Sequence, residues 1–371
     1  MYCFKSSINI KLFKPPKFQR SALSINILNQ NTKKQWQYSS SGKASLFHIL
    51  KSFDIPKKIL IPAYICDSIL IPLKRLNIEP LFYDIDLDDL NGSVDSIDRL
   101  VKKYEVKCVL LASLYGNPAN LSEIERYCSE NNIKLIDDAA QSFGAHLDGR
   151  CVGTFGNAGF FSFSPGKATA GHMGSFFWTE ETYCFKQTKH FWCHYVIWLD
   201  FYFNRYKCYS SNFLLYKNFI NILTRLCLRY FDLYYDKISR FEESILGGIL
   251  NGVLTEMKTF RIKYFREFYN EFSNNSLFRI IKAKRGVPNN HKIVLIFHNS
   301  RLAEIFISFC KEKKLLIGKG YKLFAKKSSE IANAIAIENR VVELPIEDNK
   351  ERMEYLFNVV KDALKIFRAY P

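Results

Sequence analysis

No acidic residue precedes Asp54, although nine basic ones do: Lys5, Lys11, Lys14, Lys17, Arg20, Lys33, Lys34, Lys43 and Lys51. The imbalance extends to a formal net charge of +17 over 371 residues, which excludes an acidic, cation-collecting surface. A basic surface suits anionic partners: phosphorylated small molecules, nucleic acid or anionic lipid. No helix-turn-helix, zinc-finger or RNP-like aromatic motif accompanies the charge, so no nucleic-acid partner is expected. Ten cysteines include no CxxC pair. Reduced thiols are therefore expected, with neither a disulfide frame nor a metal site. No stretch reaches the ~18 uncharged apolar residues of a membrane span, and the N-terminus lacks the apolar run of a signal peptide. The sequence reads as a cytoplasmic protein. Aromatic residues, by contrast, are plentiful, with 32 Phe and 21 Tyr.

Short apolar runs alternate with helical periods through the first half. Helices are expected over Ala44–Phe53, Ser68–Leu76 and Leu121–Glu130, and strands over Lys58–Ile61, Leu81–Tyr83, Cys108–Leu111 and Ile133–Ile136. That alternation implies an α/β fold with a mainly parallel sheet flanked by helices. Asp148-Gly149 marks a hairpin turn. Apolar runs at Gly159–Phe163 and Ser175–Trp178 flank a Pro165-Gly166-Lys167 bend. A long helix from Glu243 to about Phe272 leads to a second α/β unit, with strands at Ile293–Phe297 and Val341–Leu344 and helices over Arg301–Lys313 and Asn349–Phe367. The division expected is an N-terminal arm (1–40), a large domain (41–245) and a small C-terminal domain (246–371). An aromatic and basic insertion at about 183–235 is expected to form packed helices or to touch a membrane surface.

Three places carry chemistry. Asp138 closes a buried strand in Ile136-Asp137-Asp138, where the carboxyl ends of parallel strands face a ligand crevice. Two adjacent carboxylates there call for a cationic partner. Lys167 lies between two apolar strands, and a partly desolvated lysine has a lowered pKa and can condense with a carbonyl. Ser162, five residues earlier, can donate a hydroxyl to a phosphate. Ser41-Gly42-Lys43-Ala44 opens a helix, whose N-terminal N–H groups attract phosphate.

The ordered segments SGKASL, IPAYICDS, LYGNPANLSEIERYC, IDDAAQSFGA, GTFGNAGFFSFSPGK and ELPI resemble the DegT/StrS family of sugar aminotransferases. The resemblance is dense over about 41–180 and thinner over about 236–371. It implies the fold type I pyridoxal-phosphate (PLP) architecture, with the large domain holding the cofactor. It implies that Lys167 is the Schiff-base lysine and moves the proton, and that Asp138 pairs with the pyridine nitrogen. Gln141 would lie near the ring hydroxyl, and Gly42, Lys43, Ala44 and Ser162 would hold the phosphate. Members are homodimers that typically move an amino group from glutamate to a keto sugar carried on a nucleotide diphosphate. Such chemistry serves the synthesis of surface or secreted glycans.

The chain departs from the family pattern at three places. Cys66 stands where many members stack an aromatic residue on the ring. Tyr235-Asp236-Lys237 stands where members have Asn-x-Arg or Asn-x-Lys reaching the partner's phosphate, so Lys237 keeps the charge without the asparagine. The 183–235 segment is longer and more aromatic than usual. Two alternatives to amino transfer follow: a sugar dehydratase of the same fold, or a cofactor-binding but inactive or regulatory protein. Related dehydratases carry histidine in place of the lysine, and this chain has Lys167.

Overall fold

The structure is a computed structural model that describes residues 28–54, 56–164, 166–167, 174–181 and 254–368, together with positions 219, 222, 223 and 226. Lys237, Tyr235, the 1–27 part of the arm and the call of a packed or membrane-touching 183–235 insertion lie outside those residues, the four isolated positions apart.

A seven-stranded sheet forms the large lobe. Its strands are β1 (Gln37–Ser39), β2 (Lys58–Pro62), β3 (Glu79–Tyr83), β4 (Cys108–Ala112), β5 (Lys134–Asp138), β8 (Ala158–Ser162) and β9 (Ser175–Thr179). The order is β1-β9-β8-β5-β4-β2-β3, parallel from β3 to β8 and antiparallel at β9 and β1. β4 and β8 are buried at every position, as expected of parallel strands covered on both faces. Helices α1 (Gly42–Ser52), α2 (Leu70–Arg75), α3 (Val94–Tyr104) and α4 (Leu121–Glu130) make the connections. The expected helix from Ser68 begins instead as a single 3-10 turn over Asp67–Ile69 before α2. Between β5 and β8, the short strands β6 (His146–Leu147) and β7 (Arg150–Cys151) pair across Asp148-Gly149. Both turn residues have positive φ, 50° and 78°, the conformation a tight two-residue hairpin needs.

Two elements of the large lobe have no counterpart in the expectations. Helix α3 is capped by the Ser93 hydroxyl, which accepts the Ser96 N–H, and buries Ile97, Leu100 and Val101. β1 falls inside the stretch read as a surface arm. It pairs with β9, and Trp36 just before it is only 4% exposed and stacks on Phe161 at 4.7 Å.

The small lobe follows helix α5 (Leu254–Phe272). Its antiparallel sheet runs β10-β11-β13-β12, made of Phe278–Ile280, Lys292–Phe297, Val341–Pro345 and Gly318–Lys319. Alternation decides what each face meets. Ile293, Leu295 and Phe297 of β11 join a core with Phe268 of α5, Phe306 of α6 (Ser300–Glu312) and Val360 of α8 (Lys350–Arg368). Val294 and Ile296 point the other way, into one core with Ile59 and Ile61 of β2. Short helix α7 (Ala332–Ala336) is docked by its own N-terminus, since Asp84 accepts the N–H groups of Asn333 and Ala334, both at 2.9 Å. Ion pairs Arg279–Asp88, Lys284–Asp86 and Arg285–Asp89 close the same seam. Among the described residues, no helix is long and apolar enough to cross a membrane.

Candidate active site

Strand order sets the place of the site. From β2 the chain moves outward to β3, then returns to lay β4 on the opposite side of β2. In open α/β sheets a ligand crevice opens at such a reversal, beyond the carboxyl ends of the strands. A cavity of about 430 Å³ lies there. Cys66 lines it after β2, Ser113 after β4, Asp138 and Gln141 at the end of β5, and Ser162 and Lys167 from β8 onward. The N-terminus of α1 supplies Ser41, Gly42 and Lys43, and the small lobe supplies Lys292 and Tyr321.

One end is shaped to approach an anion. A Cβ added at Gly42 would sit 3.2 Å from Ser162 Cβ and 3.4 Å from its hydroxyl, so glycine lets the helix start lie directly on β8. Ser162 Oγ lies 3.3 Å from Ser164 Oγ, which keeps two hydroxyls together beside the α1 amides. Ala44 differs from the expectation. It does not line the cavity, and its N–H is donated to the Ser41 hydroxyl at 3.3 Å as the helix cap.

The other end pairs an acid and an amine. Burial raises the Asp138 carboxyl to about 6, against the pull of the Ala140 N–H and of Lys167. Burial lowers the Lys167 ammonium; Asp138 and Cys66 oppose that shift and Lys292 adds to it. Gly166, at φ 86°, makes the bend that brings the lysine in, and the Lys167 N–H is held by the Ser164 carbonyl at 3.1 Å. Asp137 does not share the cavity. Its Oδ2 accepts the N–H groups of Gly153 and Phe155, and burial raises its carboxyl to about 8. Strand alternation thus sends the adjacent carboxylates to different surroundings.

Gln141 belongs to a closed polar circuit. Its Oε1 accepts the Tyr115 N–H at 2.9 Å and its Nε2 donates to the Tyr321 hydroxyl. The Tyr321 N–H reaches the Tyr64 hydroxyl, which meets the Tyr115 hydroxyl at 2.8 Å. Tyr115 takes a left-handed backbone, φ 57°, to present its amide to Gln141. Cys66 lines the wall with its thiol 3.2 Å from Ser68 Oγ. The structure therefore brings together Gly42, Lys43, Cys66, Asp138, Gln141, Ser162 and Lys167. Lys292 and Tyr321 escaped the sequence reading, for nothing local marks either residue.

Residues 38–194 match the sequence profile of the DegT/DnrJ/EryC1/StrS aminotransferase family. Over that stretch, the chain is similar to this family. A GDP-4-keto-6-deoxy-D-mannose 3-dehydratase of Escherichia coli O55:H7 is 33% identical over 131 residues, 33% of this chain and 34% of that one. A GDP-perosamine synthase of Vibrio cholerae is 27% identical over 138 residues, 36% of this chain and 37% of that one. The matches thus span little more than a third of these relatives' length. The fold likeness is wider. A crystal structure of GDP-4-keto-6-deoxymannose-3-dehydratase with a trapped PLP-glutamate geminal diamine superposes with a TM-score of 0.71. It covers 95% of this chain and 98% of that chain at 16% identity. The fold is that of the type I PLP-dependent transferases.

Proposed function

We propose that the chain is a PLP-dependent aminotransferase that moves an amino group from an amino-acid donor, glutamate by the family resemblance, to a nucleotide-linked keto sugar. The observation that carries this reading is the placement of Lys167 and Asp138 in one cavity whose other end is the N-terminus of α1 against Ser162. The residues fit the cofactor. Gly42 lets the helix amides lie close beside Ser162, Ser162 offers a hydroxyl to a phosphate there, and Lys43 a charge. When bound, pyridoxal phosphate supplies an electron sink for the bond-making at the substrate carbon.

The protein's own contribution is protons and placement. An Asp138 carboxyl raised to about 6 is partly ionised near neutrality, and a cationic ring nitrogen beside it favours the ionised form. A Lys167 amine with a lowered pKa can take a proton and return it from one position. Gln141, fixed from both sides, presents a rigid amide to the cavity. Lys237 is proposed to reach a partner's phosphate in a homodimer. Lysine at 167 favours amino transfer over dehydration, for which the resemblance expects histidine.

Titration of the purified protein with pyridoxal phosphate, borohydride reduction and peptide mapping tests the reading. Label on Lys167 is expected, and glutamate should change the spectrum of the loaded protein. Protein that takes up no cofactor overturns it.

A further inference from the structure

The face of β11 and β13 turned toward the large lobe is apolar, with two exceptions. Val294, Ile296 and Val341 are buried in the core shared with β2. Lys292 and Glu343 stand in step with them along the two strands and form an ion pair. Glu343 is 6% exposed, and a carboxylate so buried needs a cation. That need alone would be met anywhere on the face. It does not explain why Lys292 also lines the cavity beside Lys167 and Tyr321.

An ammonium has three N–H donors, and here its hydrogen-bond partner among the described residues is Glu343. The remaining donors are available to whatever enters the cavity. The charge is felt at the reacting end, where it helps to depress the Lys167 amine. Among the described residues, the other lining cation besides Lys167 is Lys43, which belongs to the opposite end, at the start of α1. An amino acid carries its α-carboxylate on the carbon whose nitrogen is handed over, so that carboxylate must settle near Lys167. We propose that Lys292, held in place by Glu343, binds the α-carboxylate of the amino donor and so selects an α-amino acid over a simple amine. The assignment rests on the amino-transfer reading above.

The same chemistry could serve an acidic group of the acceptor, so the test has two arms. Replacing Lys292 alone would strand a buried carboxylate, so the informative variant is the double Lys292→Gln, Glu343→Gln, with Lys292→Arg as the conservative control. Uptake of pyridoxal phosphate should match that of the wild type in both. Binding of glutarate, a dicarboxylate without an amine, is measured by calorimetry on the loaded protein. KM values are measured separately for glutamate and for the nucleotide-linked acceptor. In the double variant, glutarate affinity should fall and glutamate KM should rise on the order of 10- to 100-fold, the loss of a charge-assisted hydrogen bond. Acceptor KM should hold, and Lys292→Arg should recover most of the loss. Unchanged glutarate affinity and glutamate KM, or a defect confined to the acceptor, overturns the assignment while leaving amino transfer intact. A wild-type protein that loads cofactor yet takes no amino group from any donor overturns both.

Discussion

The two walls of the cavity are built by different geometries. On the large-lobe side, Cys66, Ser113, Asp138 and Lys167 stand at or just beyond the ends of parallel strands. On the small-lobe side, Lys292 stands on an antiparallel strand and is paired with Glu343 of the neighbouring strand behind the cavity lining. Parallel strands bring their carboxyl ends to one edge, where loops can vary without disturbing the buried sheet. An antiparallel sheet offers a face instead, and every polar residue on it displaces an apolar one. The first wall is therefore free to carry chemistry. The second carries charge only as a matched pair.

The sharpest break of this comparison is Lys167→Ala. Loss of the proton-moving amine should lower turnover by roughly 10²–10⁴-fold or more, read in single-turnover assays, with the fold unchanged by circular dichroism. Activity near the wild-type level would remove the strand-end wall from the chemistry. Asp138→Asn should follow. It keeps an acceptor for the Ala140 N–H but cannot carry the charge, so turnover should drop about 100-fold while cofactor is still taken up. The polar circuit that fixes Gln141 should respond more mildly. Tyr321→Phe removes the hydroxyl that holds the Gln141 amide and should cost about 2- to 10-fold in kcat/KM. An effect as large as that of Asp138→Asn would make that circuit the equal of the strand-end wall.

The smallest effect concerns stability. Burial raises Asp137 from 3.8 to about 8, so the folded protein keeps a proton that the unfolded chain releases. Its contribution is then greatest at low pH and declines as pH climbs from about 4 through 8. Asp137→Asn still offers an oxygen to the Gly153 and Phe155 N–H groups, and should flatten that decline in denaturant titrations. An unchanged pH slope would mean that Asp137 is already ionised in the fold.

The strand-end wall was legible because its residues are local. Asp138 follows an apolar strand, Lys167 follows another, and the segments that carry the family resemblance contain both. The buried parallel strands show as plain apolar runs for the same reason. Helix α3 was legible in principle, through the Ser93 cap and the spacing of Ile97, Leu100 and Val101. β1 was not, since Gln37-Tyr38-Ser39 has no pattern until β9 lies beside it. Lys292 gains its meaning from Glu343, about fifty residues away on a neighbouring strand, and Tyr321 gains its own from Gln141. No local spacing encodes either relation.

The double-sided packing of β11 has a consequence for how the molecule melts. Val294 and Ile296 complete the same core as Ile59 and Ile61, so neither lobe owns that interior. Calorimetry should record a single endotherm rather than two. A small lobe cut free of the rest would bare an oily sheet face and be prone to precipitate.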